Sequence, residues 1–131
     1  MIITANDLPC AATCSSQVAI FRAEWPDGCE VTEAACLRAM ALGLDLWWAA
    51  ENLLTPGQQG VYRAAHDDAW RVYETACVEA WRVYQDSTDD PWRVRDAATA
   101  AAWRVYWDAS HDAWLVYREA TARAFAAAWV S

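Results

Sequence analysis

The chain has 131 residues, 56% of them hydrophobic, and a formal net charge of −8, which fits one domain (1–131) with an ordinary buried core. All ten basic residues are arginine, and the acidic balance repels phosphate and anionic lipid, which speaks against direct nucleic-acid binding. The most apolar stretch, AMALGLDLWWAA, is interrupted by Asp45 and too short to span a bilayer, and the start MIITANDLPC lacks the features of a secretory signal; a membrane-free, cytoplasmic protein is expected.

Residues 1–54 read as an N-terminal helical head. Asn6-Asp7 and Ser15-Ser16 are capping types, and QVAIFRAEW has the pattern of a short amphipathic helix stopped by Pro26 and Gly28. Thr32 is placed to cap a second helix, along which Leu37, Met40, Leu44, Trp47 and Trp48 recur at three- and four-residue steps. That helix is expected to reach about Leu54. Thr55-Pro56 then offers a cap followed by proline at the first position of the next helix.

The five cysteines, Cys10, Cys14, Cys29, Cys36 and Cys77, are odd in number and contain no CxxC pair, so no disulfide framework is expected. Cys10 and Cys14 share a helical face by their spacing, and a zinc site would need Cys29 and Cys36 as further ligands. The favoured reading is reduced thiols packed as small apolar residues, with no metal and no cofactor.

From residue 55 to the C-terminus the chain is a repeat. WRVY stands at Trp70–Tyr73, Trp81–Tyr84 and Trp103–Tyr106, with WRVR at Trp92–Arg95 and WLVY at Trp114–Tyr117; Phe125 continues the series, and the step is eleven residues throughout. Eleven residues make three helical turns with a remainder of about 20°, so each position keeps its place around the axis. Lettering a unit a to k from the tryptophan, positions a, h, d, k, g and c fall on an arc about 160° wide. That arc holds Trp70, Trp81, Trp92, Trp103 and Trp114 at a, Tyr73, Tyr84, Tyr106 and Tyr117 at d, valine at c and mostly alanine at g and k. It is expected to pack, with each buried tryptophan removing about 200 Å² from water, near 5 kcal/mol as an upper bound.

The opposite side carries charge. Arg71 is expected to meet Asp67 or Glu74, Arg82 to meet Glu79 or Asp86, Arg93 to meet Asp89 or Asp96, and Arg104 to meet Asp108, each pair worth about 0.2–0.5 kcal/mol. Asp68, Glu79, Asp90 and Asp112 share position j and form an acidic line with steps of about 16 Å, too sparse for strict mimicry of duplex phosphates.

Pro91 breaks the pattern, and Ser87 through Asp90 has the form of a capping box. An all-α helical bundle follows, with one long helix over about 56–86 and another over about 90–129, broken near 87–91 and folded into an antiparallel pair. The alternative is one kinked rod that would expose its aromatic arc and have to dimerise.

Catalytic patterns are scarce. The pairs His66-Asp67 and His111-Asp112 hint at metal-dependent hydrolysis, but the chain has no further histidines, and no Gly-rich phosphate loop, serine elbow or Cys-His arrangement is visible. A protein that is not an enzyme is expected.

The head segment FRAEWPDGCEVTEAACLRAMALGLDLWWAAENLLTP, followed by tandem Ala/aromatic eleven-residue units, resembles small proteins encoded in phages and prophages of GC-rich bacteria. The resemblance implies a phage product acting inside a bacterial host cell and assigns no functional residue. Small acidic phage proteins of this kind are similar to anti-CRISPR inhibitors, which block the basic surface of a nucleic-acid-handling complex. By that analogy the partner is a protein complex with a basic surface, contacted by Asp67, Asp68, Asp89, Asp90 and Asp112. The competing expectations are a structural or self-assembling phage accessory protein, with the aromatic arc between subunits of a homodimer or larger assembly, and a toxin-immunity protein.

Overall fold

Three polar side chains set where helices begin. Thr32 accepts from the Ala35 N–H at 3.2 Å, Asp45 from the Trp48 N–H at 3.0 Å, and Thr55 from the Gln58 N–H at 3.4 Å. At the last of these, Gln58 Oε1 accepts the Thr55 N–H in return at 2.9 Å, which closes a capping box around Pro56. The computed structural model describes residues 2–8, 15–88 and 95–131. In chain order these form β1 (Ile2–Ile3), α1 (Ser15–Glu24), β2 (Cys29–Glu30), α2 (Glu33–Ala41), α3 (Leu46–Leu53), α4 (Pro56–Thr88) and α5 (Arg95–Trp129). The fold is all-α, with a two-residue antiparallel pairing of β1 and β2 that joins Ile2 to Glu30 and Ile3 to Cys29.

The single helix expected from Thr32 to Leu54 is two helices. Gly43, at φ +83°, ends α2 in a left-handed turn, with the Leu44 N–H donating to Ala39 O and the Gly43 N–H to Met40 O, both at 3.0 Å. Asp45 then starts α3. Gln17 of α1 clasps this turn, donating to Gly43 O at 3.1 Å and accepting the Asp45 N–H at 2.9 Å. Asn6-Asp7 caps no helix; Asp7 closes a turn by accepting the Thr4 N–H at 2.8 Å.

Both long helices are present, as the repeat requires. The expected capping box at Ser87 is not seen: Ser87 lies inside α4, and its hydroxyl donates back to Val83 O at 2.8 Å. Its partner Asp90, together with Asp89, Pro91, Trp92 and Arg93, lies outside the described residues, as do Cys10 and Cys14.

The chain forms two compact units: Met1–His66 with Glu119–Ser131, and Asp67–Arg118. The first holds the core. Tyr62 and Phe125, 2% and 3% exposed, meet edge-on at 6.2 Å among Cys36, Ala50, Leu54, Ala122 and Ala128. Ile3, Leu8, Val18, Phe21 and Cys29 make a second cluster, and Trp129 packs against both. Around the core, Arg38 pairs with Glu24 at 2.8 Å, Arg123 with Glu33 at 2.9 Å, and Gln58 donates to Trp129 O at 2.8 Å. The second unit is the pair of repeat helices.

Candidate partner-binding surface

Between residues 67 and 118 the helices meet through their aromatic rows. Trp70 of α4 meets Tyr117 of α5 edge-on, and Tyr73 meets Trp114, both with 5.6 Å between ring centroids. Eleven residues on, Trp81 meets Tyr106 at 5.5 Å and Tyr84 meets Trp103 at 5.4 Å. Numbers rise by eleven in α4 as they fall by eleven in α5, so the pair is antiparallel and keeps one register through both layers. The tyrosines of each layer also meet across the seam, at 5.5 Å for Tyr73–Tyr117 and 6.0 Å for Tyr84–Tyr106. Each layer is therefore a box of four rings, and each cross-helix contact adds about 0.5–1.5 kcal/mol beyond its area.

The packed stripe is narrower than the arc expected from the sequence. Tyrosines at d, alanines at k and small residues at h (Cys77, Ser110) are half-buried. Trp70, Trp81, Trp103 and Trp114 remain 40–44% exposed, and Val72, Val83, Val105 and Val116 at c are 45–63% exposed. The reason is geometric. Two helices bury only the stripe between them, so positions 60° or more from its centre need a third element to cover them. These four tryptophans flank the seam with a little over half of their surface covered, so each gains less than the upper-bound burial.

Polar detail in the seam is modest. A side-chain hydrogen bond in which the phenol donates to Cys77, then burial, raises the Tyr73 phenol above its usual range, and burial raises Tyr117. On the charged side Arg82 pairs with Glu79 at 2.6 Å, and that hydrogen bond holds the Glu79 carboxyl below the ordinary range. Arg71 pairs with Asp68 at 3.4 Å rather than with Asp67 or Glu74, and Arg104 has no ion pair among the described residues.

The two open flanks of the hairpin differ. One is a groove of about 420 Å³ with a floor of Ala76, Ala80, Ala102 and Ala109 beside Tyr84 and Tyr106 of the seam, and walls that include Val83 and Val105. Its edges are acidic, because positions f and j adjoin c on the helix: Glu79 and Asp86 on α4, Asp108 and Asp112 on α5. The other flank is aromatic, with the four exposed tryptophan edges and Trp107, 57% exposed, lying 6.0 Å from Trp103.

Of the expected contact residues, Asp67 and Asp68 are exposed on α4 and Asp112 is exposed on α5, while Asp89 and Asp90 lie outside the described residues. The antiparallel register sets Asp112 level with Thr75, about 10 Å along the hairpin from Asp68, so these acids edge a surface rather than form one cluster. The valines at c were legible as repeat positions but not as open ones. Their place at the far end of the 160° arc was the available signal.

His66 of the first unit lies against Trp47 at 4.7 Å and Tyr62 at 5.9 Å, packed among aromatic rings, whereas His111 is exposed on α5. Cys29 and Cys36 are buried free thiols; burial, with the Cys29 and Glu33 charges nearby, pushes the Cys36 thiol up to about 12. Among the described residues no three His, Cys, Asp or Glu side chains gather where they could hold a metal ion. No helix among them is long and apolar enough to cross a membrane. Compared with protein-family models, curated proteins and solved structures, the chain matches none.

Proposed function

We propose that this chain is a non-enzymatic, acidic protein-binding protein, encoded by a phage or prophage, that docks on the basic surface of a nucleic-acid-handling defence complex in the bacterial cytoplasm and inhibits it. The observation that carries the reading is the open apolar groove of the hairpin with Glu79, Asp86, Asp108 and Asp112 at its edges. A desolvated apolar centre with a one-signed charged rim is the arrangement that gives protein interfaces both affinity and fast, steered association. The net charge of −8 supports a basic partner, and the resemblance of the repeat to phage-encoded proteins supports the setting.

The test is plating of a phage restricted by a CRISPR effector, in a bacterial host that expresses the protein. Plating is expected to be restored, and the triple variant Asp68→Lys, Asp86→Lys, Asp112→Lys is expected to abolish that effect while circular dichroism stays helical. Unchanged restriction across the defence complexes tried, or full activity of the triple variant, overturns the reading. A second reading, a self-assembling phage accessory protein, draws on the aromatic flank with Trp107. Light scattering separates the two: a monomer or simple dimer fits the inhibitor, and large assemblies fit the accessory protein.

A further inference from the structure

We infer that the alanine-floored groove of the hairpin receives a single amphipathic helix of the partner, with an apolar stripe bordered by lysine or arginine. The inference rests on the protein-binding reading above and names the chemistry of the occupant.

Three features define that occupant. Alanine makes most of the floor on both helices (Ala76, Ala80, Ala102, Ala109), and the two large side chains there, Tyr84 and Tyr106, meet each other across the seam at 6.0 Å, which leaves room above them for a third helix. The lining runs from Ala76 to Ser87 on α4 and from Ala102 to Ala109 on α5, about 17 Å or three helical turns on the longer side. Valine at c and tyrosine at d recur on both helices at the eleven-residue step, a ridge pattern that another helix meets with residues three and four apart.

Charge selects between the possible occupants. Four carboxylates, Glu79, Asp86, Asp108 and Asp112, stand at positions adjoining the valine walls; one position further round, Arg82 is drawn onto Glu79 at 2.6 Å and Arg104 lies exposed on α5, so four acids against two arginines leave the rim net acidic. A second copy laid on this face brings acid against acid along both edges, which disfavours it. A helix whose apolar stripe is bordered by cations meets the groove with charge of the opposite sign on both sides. The aromatic flank has no such rim: its neighbouring positions carry Glu74 and Arg118, of mixed sign.

The experiment uses the full chain and a fluorescein-labelled synthetic peptide of 18 residues, with leucine and alanine at helical spacing bordered by lysines. Fluorescence anisotropy is expected to show saturable binding that weakens as salt rises. The same stripe bordered by glutamates is expected not to bind. The double variant V83Q/V105Q changes two exposed wall residues and keeps the fold, and it is expected to weaken binding about tenfold or more. Equal binding of the glutamate peptide removes the charge argument, and unchanged binding by V83Q/V105Q places the peptide elsewhere; either result overturns the inference. So does sedimentation showing a dimer of the chain alone that V83Q/V105Q dissociates, because a second copy then fills the groove. Refusal of the lysine peptide by a protein that still restores phage plating overturns this inference and leaves the proposed function standing. Binding of the peptide by a protein that inhibits no defence complex supports the groove and removes the inhibitor reading.

Discussion

Residues of one chemical type sit in unlike environments along this chain, and the difference sets their energetic weight. Tyr62 is 2% exposed inside the core, whereas Trp81 is 42% exposed beside the seam. Tyr62→Ala is expected to cost about 3–5 kcal/mol and Trp81→Ala about half that, because the larger ring has less area to lose from burial. Urea unfolding followed by circular dichroism measures both, and an equal or reversed order contradicts the unequal burial of the two rings. The thiols are equally uneven. With the Cys36 thiol pushed up to about 12, the native thiol stays protonated at pH 8, so iodoacetamide with peptide mapping should find Cys36 unmodified until urea is added. The sign for stability follows from the same shift. A raised folded value means the unfolded chain releases the proton first, so stability is complete below pH 9.0 and falls as pH rises toward 12. Tyr73 and Tyr117, also raised, act in the same direction.

At the level of elements, register is the quantity that matters. Trp81 meets Tyr106 at 5.5 Å, and the same pairing recurs eleven residues away, so the coupling should be measurable as a pair property. A double-mutant cycle with Trp81→Leu and Tyr106→Leu is expected to give a coupling of about 0.5–1.5 kcal/mol, while Trp81→Leu with Val116→Ala should be additive. Glycine fixes two of the shorter junctions. Gly43→Ala faces open space but keeps φ +83°, for an expected cost of about 1 kcal/mol; at Gly28, φ +98°, an added Cβ would also stand 2.9 Å from Ile3 O, so Gly28→Ala should cost more. Thermal melts of the two variants check the order. These elements also mark what could be read in advance. The eleven-residue step gave both long helices and their contact residues, and Thr32 and Thr55 gave two helix starts, because each is a local signal. The break at Gly43 was missed because Leu44, Trp47 and Trp48 keep the helical spacing across it. The β1–β2 pairing was missed because two-residue strands carry no periodicity. The width of the packed stripe was overread, since periodicity says which positions share a face and not how much of that face finds a cover.

The whole molecule divides its stability unevenly. The unit of residues 1–66 and 119–131 contains every buried residue described, including Ala122 and Ala128 at 0% exposure, and no described residue from 67 to 118 is buried. Opening free energy follows buried apolar contact, so the hairpin should open at lower cost than the core. In native-state hydrogen exchange, amides of residues 70–86 and 101–116 are then expected to exchange about tenfold or more faster than those of 60–66 and 121–127, although both sets lie in the same two helices and make the same backbone hydrogen bonds. Helix propensity alone predicts no difference, since alanine and arginine are plentiful in both stretches; only packing separates them. Uniform exchange along α4 and α5 would mean that the aromatic boxes stabilise the hairpin as strongly as the core is stabilised, and that the open groove has little left to gain from a cover. The gradient, if present, gives a partner helix a definite effect: it supplies the missing third element, and protection should rise around Val83 and Val105 while the amides near Tyr62 and Phe125 stay as they were.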